Sequence, residues 1–189
     1  MSVIEDTVLS VNEIFYSLQG EGFHTGTAAV FVRLSGCNLR CDFCDTDHSL
    51  SERMTVNEIV SRVTVYPAET VILTGGEPSL QPIGPLVDAL HEAGRRVHIE
   101  TNGTRPLPGS IDWVTCSPKE GGAVVLEQCD ELKVVYTGQD VEAIAGCIKA
   151  DYKFLQPCSG LNTAEVIDYI LGHPWWRLSL QTHKLLDIR

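Results

Sequence analysis

Three thiols fall within eight residues in the stretch Cys37-Asn38-Leu39-Arg40-Cys41-Asp42-Phe43-Cys44. It follows an apolar run, Ala28-Ala29-Val30-Phe31-Val32-Arg33-Leu34, so the sulfurs sit on a loop after a strand and can turn toward one centre. Thiolates are soft ligands suited to zinc, copper(I) or iron–sulfur clusters. A closed structural zinc site wants a fourth ligand, normally announced by a second cysteine pair, and the sequence has no such pair. Two arrangements remain. One is a three-cysteine zinc site completed by a distant histidine; the other is a [4Fe–4S] cluster with one iron left open to bind and activate another molecule.

Further residues could join such a centre. Asp45-Thr46-Asp47 adds short oxygen side chains that either carry a hard cation such as magnesium or cap a turn. Gly75-Gly76-Glu77-Pro78 ends a short apolar strand, and residues without Cβ let a ligand approach the backbone. A phosphate-cradling loop would need Lys and Ser or Thr opening a helix, which Glu-Pro does not supply. Arg33, a charge within an apolar strand, must meet an internal carboxylate or an anionic substrate. Ser17-Leu18-Gln19-Gly20-Glu21-Gly22 is either a plain surface turn or a close-approach loop on which Gln19 and Glu21 offer polar recognition.

The elements that must position these residues alternate between strands and helices. Val11 to Tyr16 reads as an edge strand and Ala28 to Ser35 as the strand that delivers the thiols. A helix over Val56 to Tyr66 opens with the capping box of Thr55 and Glu58. Strands are expected at Thr70 to Thr74, Val97 to Thr101, Ile111 to Cys116, Leu132 to Tyr136, Tyr152 to Leu155 and Arg177 to Leu180. Helices are expected around Leu86, Val87 and Leu90, over Asp140 to Ala150, and from an Asn162 cap through Leu171. This alternation implies an α/β fold with right-handed crossovers and a mainly parallel sheet, whose ligands gather at the carboxyl ends of the strands. Cys37, Gly75-Gly76-Glu77, Asn102, Ser117 to Lys119, Gln156 and His183 all fall at such ends. The connection between Cys116 and Leu132 is too short and glycine-rich for a full helix, so a barrel built this way stays incomplete.

At 189 residues without repeat or linker, the chain reads as one domain over residues 1–189. A net charge of −11 argues against direct binding to a phosphate backbone and favours a small-molecule substrate. Seven cysteines, three of them clustered, and no leader or membrane-length apolar run indicate a reducing cytoplasm without membrane attachment. Cys116, Cys129, Cys147 and Cys158 are expected to be small buried residues.

The cysteine spacing, with an aromatic before the last thiol, resembles the signature of the radical S-adenosylmethionine (SAM) superfamily. Gly75-Gly76-Glu77-Pro78 resembles the motif with which that superfamily binds the SAM amino group. Five stretches together are similar to the 7-carboxy-7-deazaguanine synthase family: Ser17 to Gly22, the thiol loop with Asp45-Thr46, Leu73 to Pro78, Ile99-Glu100-Thr101-Asn102-Gly103-Thr104, and Leu180-Gln181-Thr182-His183-Lys184. The resemblance spans essentially the whole chain. It implies an incomplete parallel β/α barrel of the radical SAM type, acting as a homodimer. It also implies conversion of 6-carboxy-5,6,7,8-tetrahydropterin to 7-carboxy-7-deazaguanine with loss of ammonia, SAM being regenerated, in queuosine precursor biosynthesis.

By the same resemblance, Cys37, Cys41 and Cys44 hold one [4Fe–4S] cluster and Thr46 a magnesium ion. Phe43, Gly76, Glu77, Ser117, Pro118, Lys119, Gln156, Pro157, Cys158 and Ser159 contact SAM. Leu18, Gln19, Gly20, Glu21, Arg33, Thr74, His183 and the carboxylate of Arg189 meet the pterin, and an electron donor of flavodoxin or ferredoxin type is implied. Two other readings compete: a small glycyl-radical-activating enzyme with the same cysteine spacing, and a non-catalytic iron–sulfur protein.

Overall fold

The computed structural model describes residues 7–42, 44 and 51–189. Its backbone is one nine-stranded sheet in the order β3-β1-β2-β4-β5-β6-β7-β8-β9. Strand β1 (Val8–Leu18) pairs antiparallel with both β2 (Ala28–Leu34) and β3 (Glu52–Thr55). From β2 outward every pairing is parallel, through β4 (Thr70–Gly75), β5 (Arg96–Thr101), β6 (Trp113–Cys116), β7 (Gln128–Tyr136), β8 (Lys149–Pro157) and β9 (Arg177–Leu178). Strands β3 and β9 are not joined, so the barrel is open and partial, as the strand pattern implied.

Side chains alternate across each strand with period two, and this sorts the residues into two environments. Val30, Val32 and Leu34 of β2 pack outward, with Val71 and Leu73, against α1 (Val56–Val63) and α2 (Gly84–Glu92). Leu132 and Val134 of β7 do the same in a second core containing Val141 of α3 (Val141–Ala145) and Val166 of α4 (Thr163–Gly172). The alternate residues Phe31 and Arg33 of β2, and Lys133 and Val135 of β7, face a common lumen.

Several boundaries differ from the sequence reading. The edge strand expected at Val11–Tyr16 starts earlier, at Val8, and the charged segment Glu52-Arg53-Met54-Thr55, burying only Met54, covers its first residues Val8 to Val11. A short charged strand at an edge discourages pairing with other chains, and for the same reason it lacks an apolar pattern. The Thr55–Glu58 capping box is present, but α1 ends at Val63. Helix α3 stops at Ala145, before Gly146, and Lys149 already pairs with β7, so β8 takes residues assigned to a helix and to the preceding turn. Asn162 stands at the N-cap position of α4 as expected, but its side chain makes no capping bond: it accepts from the Cys158 amide at 2.9 Å and donates to the Tyr136 carbonyl at 2.9 Å. A short helix not foreseen, α5 (Thr182–Leu186), follows β9. Cys116 and Cys129 are buried as expected, whereas Cys147 is exposed and Cys158 half-buried.

No helix among the described residues is long and apolar enough to cross a membrane.

Candidate active site

The lumen encloses about 270 Å³ at the carboxyl ends of the strands. Cys37, Cys41 and Cys44 line one wall, without being gathered around a single ionic centre. Burial raises the Cys41 thiol above its ordinary value, partly opposed by the positive charge of Lys119. A positively charged ligand would therefore supply the drive that deprotonates it. Phe43 and Thr46 lie outside the described residues.

The glycine motif is fitted to the thiol loop. Gly76 N–H donates to the Leu34 carbonyl at 3.0 Å and Glu77 N–H to the Gly36 carbonyl at 2.8 Å, tying the end of β4 to the turn that launches Cys37. A Cβ on Gly76 would stand 1.9 Å from the Gly36 oxygen and 3.1 Å from the Cys37 nitrogen. Gly75 adopts φ +125°, and a Cβ there would meet the Leu34 oxygen at 2.1 Å. Both glycines are therefore required by packing against backbone, whether or not a ligand is bound. Gly76→Ala is expected to displace the thiol loop, lowering iron retention after reconstitution severalfold and costing about 1–3 kcal/mol of stability. Iron analysis and thermal unfolding check it.

Glu77 turns away from the lumen and is 1% exposed. One carboxylate oxygen accepts from Ser79 N–H at 3.0 Å, Ser79 Oγ at 2.6 Å and Thr101 Oγ1 at 2.7 Å, and the other from Asn102 N–H at 2.7 Å. Its role here is to brace the ends of β4 and β5. Ser117, Lys119 and Gln156 do line the lumen, whereas Pro118, Pro157, Cys158 and Ser159 do not. Lys119 Nζ donates to the Ser117 carbonyl at 2.9 Å and to Ser117 Oγ at 2.5 Å.

The same lumen is lined by Leu18, Gln19, Gly20, Glu21, Arg33, Thr74, His183 and Arg189. Arg33 has found an internal carboxylate, Glu13 at 2.9 Å, and its guanidinium lies over Phe15. Arg189 reaches the other oxygen of Glu13 at 2.6 Å, and Ser17 Oγ donates to the Arg189 carbonyl. His183 packs so closely on Gly20 that a Cβ there would be 2.3 Å from Nδ1.

The sequence reading named Glu21 but missed Lys133, which it meets here, and Glu100. Lys133, 4% exposed, places Nζ 2.5 Å from Glu21 and 3.6 Å from Glu100. Gln19 Nε2 donates to Glu100 at 2.8 Å and Gln181 Nε2 to Glu21 at 3.0 Å. Burial alone would raise Glu21, but the Lys133 charge, its hydrogen bond and that of Gln181 bring the carboxyl down to about 2. Burial would lower Lys133, but Glu100, Glu21 and Glu131 hold it above its ordinary value. The signal was available: Leu132-Lys133-Val134-Val135 embeds a charge in an apolar strand as Val32-Arg33-Leu34 does.

An open parallel barrel carrying three loop thiols beside a glycine strand end is the architecture of a radical SAM protein, and residues 31–121 match the Radical SAM superfamily. The chain is 64% identical to the 7-carboxy-7-deazaguanine synthase of Bacteroides thetaiotaomicron over 95% of this chain and 98% of that protein. It is 43% identical to the synthase of Burkholderia multivorans, over 95% and 98% respectively. The crystal structure of QueE from Escherichia coli superposes with a TM-score of 0.78 at 29% identity, covering 92% of this chain and 94% of that one. The chain belongs to the 7-carboxy-7-deazaguanine synthase family. Its cofactors are accordingly a [4Fe–4S] cluster, SAM and magnesium. The residues fit the cluster: three thiols line the same lumen.

Proposed function

We infer that this chain converts 6-carboxy-5,6,7,8-tetrahydropterin to 7-carboxy-7-deazaguanine with loss of ammonia, in queuosine precursor biosynthesis. One observation carries the reading: the three thiols, Arg33 and the Glu21–Lys133–Glu100 cluster all line one lumen. When bound, the cluster and SAM would supply reversible hydrogen-atom abstraction, with SAM regenerated, and magnesium, which Thr46 would hold, would supply positive charge for the pterin carboxylate.

This chain's residues bind and orient. Cys37, Cys41 and Cys44 hold the cluster, while Gly76, Ser117, Lys119 and Gln156 face SAM. Glu21, ionised down to about pH 2, offers an acceptor to the N–H groups of the pterin's amino-pyrimidine edge. Lys133 keeps that acceptor charged and fixed, and Gln19 aligns Glu100 beside it. Arg33 presents a cation to the pterin carboxylate, and Phe15 and Phe31 exclude water from the wall below it.

The chain handles a small molecule rather than a nucleic acid. It acts as one domain over residues 1–189 and as a homodimer in the cytoplasm, with electrons delivered by a flavodoxin or ferredoxin.

The test is an anaerobic assay of the iron-reconstituted protein with reductant, SAM, magnesium and the pterin, read by mass spectrometry. Formation of 7-carboxy-7-deazaguanine without matching loss of SAM is the expected result. Cleavage of SAM with the pterin intact would overturn the substrate assignment. Arg33→Ala is expected to weaken pterin binding about tenfold in calorimetric titration; unchanged affinity would remove Arg33 from the substrate site.

A further inference from the structure

The loop 19–23, which carries the pterin-facing residues, is pinned along its length by the segment after β9. Thr182 donates to the Gly20 carbonyl from both its backbone N–H and its hydroxyl, each at 2.9 Å, and Gln181 holds Glu21. Phe23 N–H donates to the buried carboxylate of Glu131 at 3.0 Å. Between these contacts, Gly22 N–H donates to Ser179 Oγ at 3.0 Å, and Ser179 Oγ–H donates to Gln156 Oε1 at 2.8 Å. Ser179 is 2% exposed, and its own N–H is fixed on the Leu155 carbonyl at 3.0 Å. Its single hydroxyl proton is spent on Gln156, so the amide oxygen of Gln156 is turned to Ser179 and its nitrogen is left for the lumen.

We propose that Ser179 is the positioning residue that couples the two ligand subsites, linking Gly22 of the pterin loop to Gln156 of the SAM wall through one buried hydroxyl. The inference rests on the SAM-facing role of Gln156 given above. Gly22 and Ser179 do not line the lumen, so neither ligand need touch the link for it to act. A ligand that fixes the Gln156 amide fixes the acceptor geometry of Ser179, and with it the Gly22 amide. The loop is then already ordered when the second ligand arrives, which is positive coupling without a large movement.

Hydrogen exchange of the iron-reconstituted protein, with and without SAM and in the absence of pterin, tests this. In the wild-type chain SAM is expected to slow exchange about tenfold both at 156–159 and at Gly22 and Phe23. In Ser179→Ala the protection at 156–159 persists, while that at Gly22 and Phe23 is lost. The enhancement of pterin affinity by SAM, measured by calorimetry, falls toward one in the same variant, and Ser179→Thr, which keeps the hydroxyl, restores it. A purely structural role would weaken pterin binding equally with and without SAM, and that outcome overturns the proposal. If SAM protects 156–159 but leaves Gly22 and Phe23 unchanged in the wild-type chain, the coupling is refuted and the SAM site stands. If neither segment is protected, the SAM role of Gln156 and the coupling fall together.

Discussion

Cys41→Ala is expected to abolish cluster assembly and activity together. Two thiols would remain on a loop whose launch point is set by Gly36 and Gly76, and no described carboxylate or histidine is gathered with them to replace the third. Each ligand contributes a covalent bond, so the loss should go well beyond the roughly 10–100-fold typical of removing a residue that only hydrogen-bonds to a metal ligand. Stability should change little before reconstitution, because Cys41 is half-buried and belongs to neither apolar core. Iron and sulfide analysis with electron paramagnetic resonance checks the result. A cluster whose spectrum still responds to SAM would overturn the ligand assignment.

Lys133→Met should be the most destabilising single change in the lumen. It removes the cation shared by Glu21 and Glu100 and leaves buried Glu131 beside them. Removing one partner of a buried ion pair costs roughly 3–5 kcal/mol because the survivor is left uncompensated. The pH dependence carries a distinctive sign. In the wild-type chain Glu21 is depressed from 4.5 to about 2, so its contribution is complete above pH 4.5 and is lost as pH falls toward 2. Lys133 is raised above 10.5, so its contribution is complete below that value and is lost only at higher pH. In the variant the Lys133 charge and hydrogen bond no longer oppose burial, so Glu21 moves upward and Glu131, already raised by burial, moves further up. The folded variant then binds more protons than the unfolded chain, and its stability falls as pH rises from 5 to 8. Thermal unfolding by circular dichroism across that range should show the variant losing more stability with rising pH than the wild-type chain does. A pH-independent difference would refute the carboxylate explanation.

The parts of this site that were readable in the sequence are those where one residue type does one job. Three clustered cysteines, a glycine pair at a strand end and an arginine inside an apolar run each announce a local chemical need. Residues whose role depends on a distant partner were harder to read. Glu77 was assigned to SAM by resemblance, but its partners Thr101 and Asn102 belong to the next strand, and only their approach turns its carboxylate inward. Lys133 had the same local signature as Arg33, yet its partners Glu21 and Glu100 come from separate elements. Ser179 carries no signal at all outside its pairing with Gly22 and Gln156. At the level of the fold, the mainly parallel sheet followed from alternation. The edge β3 and the early end of α3 were set by pairings with β1 and β7 that override local pattern.

The loop beside the lumen is stitched to a segment that lies far along the chain. Gly22 and Ser179 are 157 residues apart, Glu21 and Gln181 160, and Gly20 and Thr182 162. During synthesis the pterin loop emerges early, its anchors Glu131 and Lys133 follow more than a hundred residues later, and those of segment 179–182 later still. Contacts of such separation make folding slow for a domain of this size. The seam between loop 19–23 and segment 179–182 is where a nascent chain stays longest exposed to chaperones, and where partial unfolding of the finished protein should begin.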